Sequence, residues 1–304
     1  MPFDLYAQQG RWRQWDKFFD FVFAERKSED FSSKSALDIG CAVGFSTRAL
    51  AKRFGRVIGV DADASLIEKA NAISSFSDDI TVAKRVSYEH SSDLSSWDAY
   101  GERFDFIFSG YTLAYLGDVT QTLRHWATLL KPGGTLVVLE IQGLFAIHHP
   151  LKEARPWFEK FDKEILKSFG YISNAGALMG DAILSVPELK KLNFLDWQDP
   201  ELCFDGPLSV DSPVYAGWEE RWKRLWPLMS QSGVEDGVHE AFFQCLTSPE
   251  HHCEKPIKLL IASKTEEASP KMSVARKDSM EIALREDVPS IEKFFPGSSG
   301  GGED

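Results

Sequence analysis

Two aspartates stand where a carboxylate can meet a ligand: Asp38, two places before Gly40, and Asp61, twenty-one residues after it. Between them Gly40 and Gly44 form a G-x-x-x-G turn. Ala36-Leu37-Asp38-Ile39 is a short apolar run that suits a buried parallel strand. The glycines free the following turn of side chains, so its backbone amides can touch a ligand. Ser46 to Phe54 has helical spacing, which aims helix N-terminal amides at the same place, and Gly55 ends that helix. Arg56 to Val60 is a second apolar strand, and Asp61 at its carboxyl end can accept both hydroxyls of a ribose. Paired glycines alone fit any tight strand-to-helix turn. The succession of strand, glycine turn, helix, strand and terminal Asp points to a nucleotide-type ligand.

The spacing also discriminates between nucleotides. A dinucleotide turn is usually G-x-G-x-x-G, with pyrophosphate on the helix amides. Here an acidic residue precedes the first glycine, badly placed for a pyrophosphate and well placed for a ligand amino group. S-adenosylmethionine carries such an amino group and no phosphate.

From about Lys34 to Glu140 the chain resembles the class I S-adenosylmethionine-dependent methyltransferases of the small-molecule kind. The resemblance rests on Leu37-Asp38-Ile39-Gly40 with Gly44, on Val60-Asp61, and on a later block in fixed order. That block is Phe104 to Ser109, then Leu113-Ala114-Tyr115-Leu116, then Leu129-Leu130-Lys131-Pro132-Gly133-Gly134 running into Thr135 to Val138. One position departs from the family, Ala42 standing where the glycine loop often has Gly. The resemblance implies an α/β, Rossmann-like methyltransferase fold. Its sheet has seven mostly parallel strands with an antiparallel last strand, helices cover both faces, and a helical lid is inserted. It implies S-adenosyl-L-methionine as cofactor, with Asp38, Gly40, Ala42, Gly44, Asp61 and Ala62 around it. On the adenine side Asp93 would meet the amino group and the Leu94 amide a ring nitrogen, although His90 competes for that register and Asp93 also suits a helix cap.

Further elements follow from the pattern. Tyr6, Trp12, Trp15, Phe18, Phe19, Val22 and Phe23 mark an aromatic N-terminal helix. In the family such a helix often lies over the cofactor, so Tyr6, Arg11 or Trp12 could join a lid, or the helix could simply pack on the sheet. A second helix is predicted over 64–72 and a third strand over 80–86. Phe104 to Phe108 is the fourth strand, and Ser109 and Tyr111 line the site at its carboxyl end. Tyr115 borders the substrate or joins the core. Val119 to Leu130 is a helix, and a Pro-Gly-Gly turn leads into a fifth strand ending at Glu140 and Gln142. A helix is expected over 187–192, a sixth strand over 197–210, helices over 215–229 and 238–246, and a last strand over 256–263. The organisation is an N-terminal helical cap (1–33), a cofactor-binding domain (34–264) with a lid insertion at about 143–184, and an acidic tail (265–304) that reads as disordered.

The insertion carries His148-His149-Pro150. His148 and His149 are the candidate general bases, since imidazole titrates near neutral pH and the loop should face the transferred methyl; a solvent-facing pair capping a helix is the alternative. Adjacent histidines rarely face one ion, so no metal is assigned, and His251-His252-Cys253 lies in a polar loop. Trp218, Trp222 and Trp226 form a stripe four residues apart, which is core, a wall of an aromatic substrate pocket that would include Trp222, or a dimer interface.

Composition bounds the partners. A formal net charge of −12 without a Lys/Arg-rich run disfavours nucleic acid. No apolar run is long enough for a bilayer. Four scattered cysteines suit a reduced, cytoplasmic setting. The sequence therefore reads as a methyltransferase acting on a small, apolar or aromatic metabolite, with the acceptor atom and oligomeric state open. The alternatives are a binding or scaffold protein on the same fold and a cofactor-assisted enzyme such as a cyclase.

Overall fold

The structure is a computed structural model and describes residues 13–26, 28–75, 79–95, 97, 103–142, 171–172, 174–197, 206–231, 236–251 and 257–266. Seven strands form one sheet: β1 Ser35–Ile39, β2 Arg56–Asp61, β3 Val86–His90, β4 Phe104–Gly110, β5 Leu130–Ile141, β6 Leu189–Trp197 and β7 Ile257–Lys264. Their order is β3-β2-β1-β4-β5-β7-β6. The strands from β3 to β5 pair in parallel, and β7 runs antiparallel to both β5 and β6. The chain order reverses between β1 and β4, and such a switch point opens a crevice beyond the carboxyl ends of the strands. Asp38, Asp61, Ser109 and Glu140 all come from that end.

Eight helices of the described residues matter here: α1 Trp15–Val22, α2 Phe45–Ala51, α3 Ala64–Ser75, α4 Ile80–Arg85, α5 Val119–Leu129, α6 Ala175–Ala182, α7 Pro213–Gln231 and α8 Asp236–Leu246. The pleat of β4 sends Phe106 and Phe108 to one face of the sheet and Ile107 to the other, and a register shift between Phe104 and Phe106 puts Phe104 on the side of Ile107. The first face is covered by α1 and α2. Phe19 meets Phe108 at 5.1 Å, and Phe23 meets Phe106 at 5.1 Å between ring centroids. Each such buried phenylalanine contributes about 1.5–3 kcal/mol. The second face is covered by α5 to α8 through Trp126, Met179, Trp218 and Phe242. The aromatic N-terminal helix thus packs on the sheet through its described residues, while Tyr6, Arg11 and Trp12 lie outside them.

Three local expectations are corrected. Residues 80–85 are the helix α4, because Asp79 caps it by accepting from the Thr81 and Val82 amides at 3.1 Å. The cap outweighs the β-branched Ile80, Thr81 and Val82, and β3 starts only at Val86. The expected helix over 187–192 is instead the start of β6. Leu189, Leu192 and Leu195 imitate helical spacing, but the register of β6 on β7 shifts between Lys191 and Asn193, which breaks strand alternation in the sequence. The sixth strand accordingly ends at Trp197, and 206–210 is not strand; 198–205 lies outside the described residues. No helix among the described residues is long and apolar enough to cross a membrane.

Candidate active site

The turn after β1 is built from left-handed backbone. Gly40, Ala42 and Gly44 have φ of 77°, 47° and 80°. The two glycines are required by their neighbours: a Cβ on Gly40 would stand 1.9 Å from Thr112 Oγ1, and one on Gly44 2.3 Å from the Tyr88 hydroxyl. Ala42 keeps the same conformation with a methyl group, at a cost of about 1–2 kcal/mol. The turn's amides are largely engaged within the protein. Gly40 and Cys41 donate to the Val60 carbonyl, Gly44 to Cys41, and Ala42 to Asp61 Oδ2 at 2.8 Å. What the turn presents is therefore a bare backbone surface flanked by two carboxylates, not the open row of amides expected from the sequence.

Asp38 is buried to 1% exposure under this turn. Its Oδ2 accepts from the Ser46 and Thr47 hydroxyls of α2 at 2.7 and 2.6 Å, and its Oδ1 is buried without a hydrogen-bond partner. Burial raises its pKa to about 6 against the lowering effect of those two hydroxyls. An unpartnered buried carboxylate oxygen is an acceptor in waiting for a cationic or N–H ligand group.

Asp61 closes the other side. Beyond the Ala42 amide it accepts from the Asp63 amide at 3.0 Å, and burial pushes its carboxyl up. The Ala62 carbonyl meets His90 Nε2 at 3.2 Å, and the Ser91 amide donates to the Asp61 carbonyl, so β2 and β3 end together. Asp93 is exposed and caps its own turn by accepting from the Ser95 amide and hydroxyl at 2.9 and 2.6 Å. Leu94 is buried, and its carbonyl takes the Trp126 indole N–H at 3.2 Å.

At the ends of β4 and β5 the arrangement is different. Ser109 is fully buried and donates to the Ile39 carbonyl at 3.1 Å, tying β4 to β1. Tyr111 leaves the strand in left-handed backbone, φ 58°, with its amide on the Leu139 carbonyl at 2.7 Å. The Arg13 guanidinium lies over the Tyr111 ring, 3.8 Å from its centroid. Glu140 is 1% exposed and accepts from the backbone amides of Ala114 at 3.1 Å and Ile141 at 2.8 Å. Burial raises its pKa to about 7, opposed by the amides of Ile141, Ala114 and Leu113 and then by the charge of Arg13. Glu140 thus caps the short 3₁₀ turn Leu113–Tyr115. Tyr115 meets Tyr171 edge to face at 4.9 Å, and the Ile172 amide donates to the Ala114 carbonyl at 2.8 Å. Helix α6 closes on this corner because Gly176 lets it approach: a Cβ there would be 2.8 Å from the Glu140 carbonyl oxygen.

The chain matches the family model described as a methyltransferase domain over residues 6–173. It belongs to that methyltransferase family. The ubiquinone biosynthesis O-methyltransferase of Chelativorans sp. (strain BNC1) is 29% identical over 117 residues, 38% of this chain and 44% of that protein. Its namesake in Coxiella burnetii (strain RSA 493 / Nine Mile phase I) is 32% identical over 103 residues, 34% of this chain and 42% of that protein. The chain therefore matches less than half the length of these curated relatives. Among solved structures, the [4+2]-cyclase SpnF superposes with a TM-score of 0.52 at 17% identity, covering 83% of this chain and 82% of that one. A sarcosine dimethylglycine methyltransferase from Galdieria sulphuraria, itself an assignment, gives 0.50 at 12%, over 83% and 87%. At these identities both speak for the fold.

The cofactor of this methyltransferase is S-adenosylmethionine, and the residues present fit it. The spare Asp38 oxygen suits an ammonium group, the turn from Gly40 to Gly44 offers a backbone free of large side chains, and Asp61 stands at the end of β2. Among the described residues no three His, Cys, Asp or Glu side chains gather as a metal site. The structure brings together the sequence candidates Asp38, Gly40, Ala42, Gly44, Asp61 and Ala62 around one turn, with Tyr111 and Tyr115 on the neighbouring strand end. Trp222 is buried against Phe242, ring centroids 4.8 Å apart, and Trp226 stacks on it at 6.5 Å. His148, His149 and Trp12 lie outside the described residues. Sequence reasoning missed Tyr88, Thr112, Tyr171 and Arg13. Only Ser46 and Thr47, two adjacent hydroxyls opening a helix opposite a buried Asp, left a readable signal.

Proposed function

We propose that this methyltransferase transfers a methyl group to a small apolar or aromatic acceptor bound beside the Leu113–Tyr115 turn. The observation that carries the reading is the edge-to-face pair of Tyr115 and Tyr171, backed by Ile172 and the buried Met179. Such rings favour an aromatic guest, each contact adding about 0.5–1.5 kcal/mol beyond area burial. The O-methyltransferase names of the bacterial relatives support oxygen as the acceptor atom.

In this reading Asp38 receives the amino group of the cofactor, Asp61 both ribose hydroxyls, and Asp93 with the Leu94 amide the adenine. Gly40, Ala42, Gly44 and Ala62 give the backbone surface against which it lies. S-adenosylmethionine supplies a methyl already activated on a sulfonium. The chain then has to hold the acceptor in line and exclude water, and orientation of this kind is worth effective molarities up to about 10⁵–10⁸ M. A hydroxyl acceptor also needs its proton removed, and His148 or His149 is assigned to that task. The segment that carries them leaves from Gln142 and returns at Tyr171, and both of those ends stand at this edge.

The test is a panel of phenols, aliphatic alcohols and amines incubated with S-adenosylmethionine, followed by S-adenosylhomocysteine release and product mass. Methylated phenols are expected. Turnover confined to charged, non-aromatic acceptors, or binding of the cofactor with no turnover and a stoichiometric protein partner, would overturn the proposal.

A further inference from the structure

We propose that Tyr88 is a positioning residue for the cofactor turn: it reaches from β3 to the Gly44 end and, with Arg48, holds that end in the shape the cofactor meets. The inference rests on the cofactor reading above and adds two residues that neither motif contains.

The two ends of the turn are held differently. The Ala42 amide is fixed by Asp61, the last residue of the adjoining strand β2. Gly44 has no such carboxylate; its amide closes the turn on the Cys41 carbonyl at 2.8 Å. What lies against the Gly44 end is Tyr88, although β3 is two strands away from β1.

Tyr88 gets there because β2 makes room. It pairs with Gly59 in the register of β2 on β3, and directly paired residues share a face of the sheet. A Cβ on Gly59 would stand 2.9 Å from Cδ1 of the Tyr88 ring and 2.9 Å from Thr47 Oγ1, one of the two hydroxyls on Asp38. A Cβ on Gly44 would meet the same ring at 2.6 Å. Two glycines, one in β2 and one in the turn, thus clear the path of one ring.

The hydroxyl at the end of that ring is fully used. Burial pushes its pKa up, so it keeps its proton. It accepts from Arg48 Nη1 at 3.3 Å, bonds the Ser74 hydroxyl at 3.1 Å and donates to the Gly44 carbonyl at 3.5 Å. A tyrosine hydroxyl has one proton and two lone pairs, so all three contacts coexist with Ser74 as donor. Arg48 also donates to the Val43 carbonyl at 3.0 Å. The carbonyls of Val43 and Gly44 are therefore both held by one coupled pair of side chains, from α2 and β3. A turn fixed before the ligand arrives spares binding the cost of ordering it.

The test is Tyr88→Phe on the full chain, which keeps the ring and removes the hydroxyl. Calorimetry should show S-adenosylmethionine and S-adenosylhomocysteine weakened alike, by about 3- to 10-fold, the worth of one or two hydrogen bonds. In the variant without ligand the Gly44 amide should exchange with deuterium at least about threefold faster, while the Ala42 amide, held by Asp61, keeps its rate. Arg48→Gln should weaken both ligands too, and the double variant should lose no more than the worse single one, as members of one unit do. A lowered thermal midpoint with unchanged affinity and unchanged exchange at Gly44 would make Tyr88 a core residue only. Loss for the sulfonium form alone would make the hydroxyl a direct ligand contact, and fully additive losses would separate it from Arg48; each overturns the proposal. Wild-type protein that binds neither ligand would overturn the cofactor reading, and the proposal with it.

Discussion

Asp38 is the penultimate residue of the first strand and Glu140 of the fifth, both 1% exposed and both raised in pKa by burial, yet the protein uses their oxygens differently. Asp38 concentrates two hydroxyl donors on Oδ2 and leaves Oδ1 without a partner. Glu140 spends both oxygens on backbone amides, Oε2 on Ala114 and Oε1 on Ile141. A buried acceptor left open costs stability, about 1–3 kcal/mol, and is tolerated where a ligand will fill it. A buried acceptor that is filled holds a corner in place. The first carboxylate thus keeps an acceptor open, as the proposed cofactor contact requires, and the second holds the corner that carries Tyr111 and Tyr115.

The sharpest way to break the binding half is at its glycine. Gly40→Ala puts a methyl on Thr112 in a left-handed backbone and should cost about 2–5 kcal/mol, read as a lowered urea midpoint or loss of soluble protein. The architectural half is tested by pH. Glu140 titrates at about 7 in the folded chain against 4.5 for an ordinary glutamate. The native state therefore binds the extra proton between those values, and stability falls as pH rises from 4.5 to 7. Glu140→Gln should flatten that slope, so wild type loses roughly 3 kcal/mol relative to the variant across the window. A slope unchanged in the variant would assign it to other groups.

Asp38 should instead report on the ligand. At pH 6 its carboxyl is half protonated in the free protein, and an ammonium group beside it favours the ionised form. Binding of S-adenosylhomocysteine at pH 6 should then release about half a proton, measured by calorimetry in buffers of different ionisation enthalpy, and Asp38→Asn should abolish the release. The smallest effect is expected at Ala42. Replacing it by Gly relieves the left-handed strain but loosens the unfolded chain, for a net gain of about 0.5 kcal/mol and unchanged cofactor affinity.

The same contrast explains what the sequence disclosed. The turn from Asp38 to Asp61 lies within one strand–helix–strand unit, so residue spacing alone brings its parts together. The seven mostly parallel strands and the antiparallel last strand were expected from the family resemblance, whose blocks fall on β1, β2, β4 and β5, and the sheet has both. The corner at the ends of β4 and β5 joins Tyr111, Glu140, Tyr171 and Gly176, which are far apart in sequence and meet only through packing. Tertiary pairing decided β6, whose leucines imitate a helix, whereas in α4 one local cap outweighed three β-branched residues. Within the segment expected as a lid insertion, Ala175–Ala182 is the helix α6, buried against the end of β5.

The most direct measurement is calorimetry of wild type, Asp61→Ala and Asp61→Asn with S-adenosylmethionine, S-adenosylhomocysteine and NAD. Wild type should bind the first two with micromolar affinity and ignore NAD, and Asp61→Ala should lose at least about 100-fold, the worth of two hydrogen bonds to a charged group. Asp61→Asn, which keeps an acceptor for the Ala42 amide, should fall between. Unchanged affinity in Asp61→Ala, or equal binding of NAD, would contradict the account.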